Sequence, residues 1–94
     1  MYRELTFSDF RTRRGDTFDV RGPAGVVKLV LAQVQELPGS GRQGGSFRLE
    51  FQGPLTPALG QGTFPFMIGR DWANIFIVPV GILPQAMRYE AIFY

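Results

Sequence analysis

The stretch Phe47-Arg48-Leu49-Glu50-Phe51-Gln52 alternates apolar and polar side chains at every step. Successive side chains on a strand point to opposite sides, so this segment reads as a strand with Phe47, Leu49 and Phe51 in a core and Arg48, Glu50 and Gln52 in water. The same alternation recurs upstream in Phe18-Asp19-Val20 and downstream in Arg88-Tyr89-Glu90-Ala91-Ile92-Phe93. Between these anchors lie clusters of glycine and proline, and no helix-length amphipathic segment separates the strands.

The longest strand candidate covers residues 26–37, and its polar residues change face. Lys28 falls on even positions, whereas Gln33 and Gln35 fall on odd ones. A strand cannot switch faces without an irregularity, which predicts a β-bulge or sharp coil between Val30 and Gln33. Such a bend lets one strand round the corner of a barrel or serve two sheets. Gly22-Pro23-Ala24-Gly25 supplies the turn that makes this strand a hairpin partner of the one before it. Residues 38–45, polar and rich in glycine, read as a flexible hairpin loop.

Downstream, residues 53–62 set Leu55 and Leu59 among prolines and glycines, the pattern of an ordered loop crossing one end of the fold. Residues 63–68 resume alternation with Phe64, Phe66 and Ile68 inward. Pro65 has no N–H to donate, which predicts an edge strand or an unpaired position there. A polar connection, residues 69–74, holds Trp72 and leads to residues 75–80, which are apolar on both faces and end at Pro79 and Gly81. The last strand covers residues 87–94. At the start of the chain, Thr6-Phe7-Ser8-Asp9 has N-cap spacing and predicts a helical turn or two to about Arg13, ended by Gly15. The expected fold is all-β: a small antiparallel barrel or two-sheet sandwich of six to seven strands with one short N-terminal helical turn.

Composition narrows the function. A chain of 94 residues has room for one core and is read as a single domain over its whole length. With 45% hydrophobic and 19% charged residues it is ordinary folded protein. No apolar run reaches membrane-span length and none of signal-peptide length follows Met1, so a cytoplasmic protein with no membrane span is expected. The chain has neither Cys nor His, which removes disulfides, thiolate nucleophiles, the commonest general base and the commonest metal ligand. Lys28 sits mid-strand among aliphatics, where a solvated lysine is the simpler reading than a partner for Ser8, Ser40 or Ser46. Asp9, Asp16, Asp19 and Asp71 lack the spacing of a calcium loop and lie near arginines, which favours surface pairing. Phosphate-cradling glycine motifs are absent from the sequence. The expectation is a non-enzymatic protein that uses no cofactor and no metal.

Two surfaces remain as candidates. If Ile75, Ile77 and Pro79 fill the interior, then Phe76, Val78 and Val80 form an outward apolar face. With Trp72 and Tyr94 they make up a candidate protein interface, suited to self-association or to docking on a larger assembly. Trp72 alone would also suit a carbohydrate or small-ligand module. The alternative surface is a basic cluster, Arg11, Arg13, Arg14 and Arg21, interrupted by Asp9, Asp16 and Asp19. As a phosphate patch of a small nucleic-acid-binding barrel it would need those acids turned away and an aromatic platform from Tyr2, Phe7 or Phe10. The net charge of +2 makes only a weak overall field.

Gly15-Asp16-Thr17-Phe18-Asp19-Val20, residues 26–37, Phe47-Arg48-Leu49-Glu50-Phe51-Gln52-Gly53-Pro54, Gln61-Gly62-Thr63-Phe64, Ile75-Phe76-Ile77-Val78-Pro79-Val80-Gly81 and Arg88-Tyr89-Glu90-Ala91-Ile92-Phe93 together resemble a family of small uncharacterised bacterial all-β domains associated with phage-tail-collar-like proteins. The resemblance covers most of the chain and implies a structural or assembly role. It is a likeness of strands and turns, and no functional residue carries over. Family members end the last strand in Phe-Asn where this chain has Phe93-Tyr94. They often carry His where this chain reads Met67-Ile68-Gly69-Arg70, so a His-dependent role in that loop would not transfer.

Overall fold

In a computed structural model, which describes residues 5–38 and 45–94, the alternating segments become β1 (Thr17–Gly22), β2 (Gly25–Glu36), β3 (Phe47–Gly53), β4 (Gly62–Ile68), β5 (Asp71–Leu83) and β6 (Ala86–Phe93). All neighbours pair antiparallel, and the sheet closes on itself in the order β1-β2-β3-β6-β5-β4. Of the two architectures open to the sequence, the barrel is the one formed, with six strands among the described residues. Most of the loop expected at residues 38–45 lies outside the described residues.

The change of phase in β2 is resolved as predicted. Leu31 faces Phe51 and Gln33 faces Glu50, so Ala32 is the extra residue of a bulge. Its carbonyl accepts a hydrogen bond from Arg14 Nε at 3.0 Å, which ties the N-terminal segment to the corner of the barrel. The helical turn is shorter than the sequence suggested, a single 3-10 turn at Phe7–Asp9. The Thr6 N–H and hydroxyl both donate to Asp9 Oδ2, at 2.8 and 3.2 Å. Gly15 does not end a helix there. It is the third residue of a separate turn, closed by Asp16 N–H donating to the Arg13 carbonyl, and its φ of +94° is one that a side chain disfavours.

Three further expectations are corrected. Pro79 and Gly81 do not end a strand, because β5 runs on through both to Leu83. The register shifts between them, Pro79 facing Tyr89 and Gly81 facing Arg88, so Val80 is a second bulge residue and the proline's missing donor falls where pairing is already irregular. Trp72 lies within β5 rather than in a loop, opposite Met67. Pro65 is neither on an edge, since the barrel is closed, nor unpaired, since it faces Asn74 across the β4–β5 ladder. Its strand β4 nevertheless shares only one registered pair with β1, Val20↔Phe66.

Aromatic rings fill the interior from the N-terminal end downwards. Phe47 stacks on Phe93 at 4.5 Å, with Phe7 and Phe10 packed above them. Below, Phe18 meets Phe51 edge to face at 6.0 Å, and Phe51 lies 5.1 Å from Phe66. Leu59 closes the opposite end and is buried, while Leu55 stays exposed. The Leu59 N–H donates to the hydroxyl of the fully buried Tyr89 at 2.8 Å. Removing that acceptor leaves a buried N–H unpaired, so Tyr89→Phe is expected to cost about 1 to 2 kcal/mol in a urea titration. A loss below about 0.3 kcal/mol would mean that the Leu59 amide has another partner.

Candidate functional site

Alternation along β5 turns Ile75 and Ile77 inward, at 1% and 0% exposure, and Phe76 outward at 52%. Val78 is half-buried beside it, and the bulge at Val80 tips that side chain into solvent as well. Residues 76, 78 and 80 of the strip that the sequence proposed as an interface therefore line one face of β5, with the exposed Asn74 between them and Trp72. β6 contributes a residue that the sequence reading missed. Ile92 shares the parity of Arg88 and Glu90, points outward, and is 52% exposed. Continuing the β5–β6 register beyond Val78↔Glu90 brings Ile92 level with Phe76. Tyr94 lies exposed just past the end of β6.

Beside this strip the outer faces of β3 and β6 carry an ion network. Glu50 and Glu90 stand directly opposite each other, a like-charge pair that destabilises a ladder unless it is neutralised. Two arginines on the same face neutralise it. Arg88 grips Glu50 with two bonds, Nη2 to Oε1 at 2.9 Å and Nε to Oε2 at 3.1 Å. Arg48 bonds Glu50 at 3.1 Å through Nη2 and reaches Glu90 through Nε. Glu50, expected in water, is thereby buried. The Arg88 guanidinium holds its carboxyl below the usual carboxylate range, against the upward push of desolvation, and Arg48 adds to the effect. The signal was present in the sequence as a repeated spacing, Arg48-Leu49-Glu50 and Arg88-Tyr89-Glu90, on two strands of matching phase.

The basic cluster is dispersed. Arg14 is held at the bulge of β2, and the Arg21 guanidinium lies over the Trp72 ring, 4.3 Å from its centroid. Arg13 lines a cavity together with Asp16 and Asp19, so those acids are not turned away from it. Arg11 is exposed on the N-terminal turns. Of the aromatic platforms considered, Phe10 is fully buried, Phe7 packs on Phe47, and Tyr2 lies outside the described residues. Lys28 is solvated as expected and bonds Asp19 at 2.7 Å on the surface. Among the described residues, no cluster of acids has the arrangement of a metal site, and no helix is long and apolar enough to cross a membrane.

A family model matches residues 5–93, which takes in every strand of the barrel. The chain belongs to DUF6916, a domain of unknown function. No curated protein and no solved structure matches it. Within the DUF6916 domain the matched span includes the β5 strip, the ion network and all four arginines of the dispersed cluster, and leaves out only Tyr94 of the candidate interface.

Proposed function

We propose that this DUF6916 domain is a non-enzymatic docking module of a structural assembly, and that it binds protein through the outer face of β5. The observation that carries this reading is the run of outward apolar side chains Phe76, Val78 and Val80, joined by Ile92, on a barrel whose interior is already filled. A closed barrel offers little backbone for strand addition across this face, so contact there is made by side chains. The resemblance to bacterial domains associated with phage-tail-collar-like proteins supports a place in a tail-like or surface assembly. Arg14 and Arg21 are held within the domain, which weighs against the rival nucleic-acid reading.

Light scattering across a concentration series, followed by a salt series on heparin, tests the proposal. The domain is expected to self-associate with rising concentration and to leave heparin at low salt, and Phe76→Asp is expected to restore the monomer. A strict monomer that leaves heparin only at high salt, and that the double change Arg13→Ala with Arg14→Ala releases, overturns it in favour of nucleic acid.

A further inference from the structure

β2 is longer than the strand beside it. Its pairing with β1 starts at Thr17↔Val30, and the bonds on that side stop at Leu31, whose N–H donates to the Asp16 carbonyl and whose carbonyl accepts from the Gly15 N–H. The chain before Gly15 turns away, with Arg14 Nε on the Ala32 carbonyl. β2 runs on to Glu36 with β3 on its other side.

A single bond decides which backbone groups of this last stretch face outward. The Leu37 N–H donates to the Ser46 carbonyl at 2.8 Å, next to Glu36↔Phe47, which makes Glu36 and Phe47 a non-hydrogen-bonded pair. Gln33 and Gln35 therefore bond to β3, and the N–H and C=O groups of Val34 and Glu36 point away from it. Among the described residues, nothing bonds to these groups. Gln35 and Glu36 are exposed, and Val34 is half-buried. The free stretch is bounded at both ends: Pro38, next in phase, has no N–H, and the Ala32 carbonyl is taken by Arg14.

This edge is complementary to a copy of itself. With two copies antiparallel about a two-fold axis at Gln35, Val34 meets the partner's Glu36 and Glu36 meets the partner's Val34, which makes four main-chain hydrogen bonds. Gln35 is the residue that faces its own copy. It is a neutral amide that both donates and accepts, so the two side chains bond each other across the axis. The Glu36 carboxylates face Val34 rather than one another, so no like charges stand opposite.

We propose that the end of β2 is a contact between two copies of the chain, an antiparallel continuation of the sheet through Val34 and Glu36. Four hydrogen bonds without a large apolar area make a weak contact, so Phe76→Asp stays monomeric in dilute solution, and pairing lasts where copies are held close together. β2 and β5 stand three places apart in the closed order, on opposite sides of the barrel. If copies also meet through β5, the two contacts extend them into a row. That consequence rests on the β5 reading, and the β2 contact does not.

The chain has no Cys, so one introduced thiol reports its own position. Across the axis the two copies of residue 35 have Cα atoms about 4.5 Å apart, within disulfide reach, whereas those of residue 33 are about 14 Å apart. Under mild oxidation Gln35→Cys is expected to cross-link about tenfold faster than Gln33→Cys, both in the parent and in Phe76→Asp, which separates this contact from the β5 strip. Adding Glu36→Pro removes two of the four bonds and none to β3, and is expected to bring cross-linking down to the Gln33→Cys rate. Amide hydrogen exchange at Val34 and Glu36 of the parent is expected to slow as concentration rises, a reading that needs no substitution. Equal cross-linking at both positions, or cross-linking of Gln35→Cys that vanishes in Phe76→Asp, overturns the proposal. So does exchange that ignores concentration: if fast, the edge is left to a different partner, and if slow, it is covered within one chain.

Discussion

Phe51→Ala is expected to lower the unfolding free energy by about 3 to 5 kcal/mol. The ring has no exposed surface and lies between Phe18 and Phe66 at 6.0 and 5.1 Å, so truncation opens a cavity at the middle of the aromatic column. β3 pairs along its whole length with β6 and along most of it with β2, and a strand held on both sides cannot collapse into the space. Because domains of this kind are stable by only about 5 to 15 kcal/mol, the loss is a large part of the total. Phe76→Ala provides the comparison. That ring is half exposed on the outer face, and its removal is expected to change stability by no more than about 0.5 kcal/mol. A Phe51→Ala midpoint in urea shifted by less than about 1 kcal/mol would show that the inward phase of β3 is wrong.

The inward phase was legible because alternation is a strong constraint. One slipped residue would have put Phe47, Leu49 and Phe51 into water, so the pattern left a single solution. The bulge of β2 was legible for the same reason, from the mismatch of Lys28 with Gln33 and Gln35. What the sequence did not disclose depended on neighbours remote along the chain. Pro79 and Gly81 looked like a strand terminus, since local chemistry cannot show that a bulge at Val80 absorbs both residues. Trp72 looked like a loop residue because its sequence neighbours are polar. The two-residue turn at Gly69 and Arg70, with φ of +65° at the glycine, starts β5 earlier than that composition suggests. Pro65 was read as an edge or an unpaired position and is neither, because barrel closure is a property of all the strands together and the residue faces Asn74 in the ladder with β5. In the candidate site, Phe76 and Val80 were found by parity alone, whereas the burial of Glu50 required knowing that β3 and β6 are neighbours.

That burial leads to a second expected loss. Glu50→Ala is expected to cost about 2 to 3 kcal/mol, less than the 3 to 5 typical of a broken interior pair because the arginines it serves keep some contact with water. Glu50 is the hub: its side chain is 10% exposed and accepts bonds from both Arg48 and Arg88, and without it the two guanidinium groups must share Glu90. The same geometry fixes the sign of a pH effect. Native Glu50 titrates below the unfolded chain, where an ordinary glutamate has a pKa of about 4.3. As pH falls, the unfolded state therefore takes up this proton first, and stability falls with it. The contribution is fully present above about pH 5 and is lost as the pH passes through the native value. Glu50→Gln keeps the shape and cannot titrate. Urea midpoints measured from neutral pH into the acid range should therefore fall less steeply in that variant than in the parent, with the two curves converging at the acid end. Parallel curves would assign the acid limb to other carboxylates and leave Glu50 a structural bond without a titration of its own.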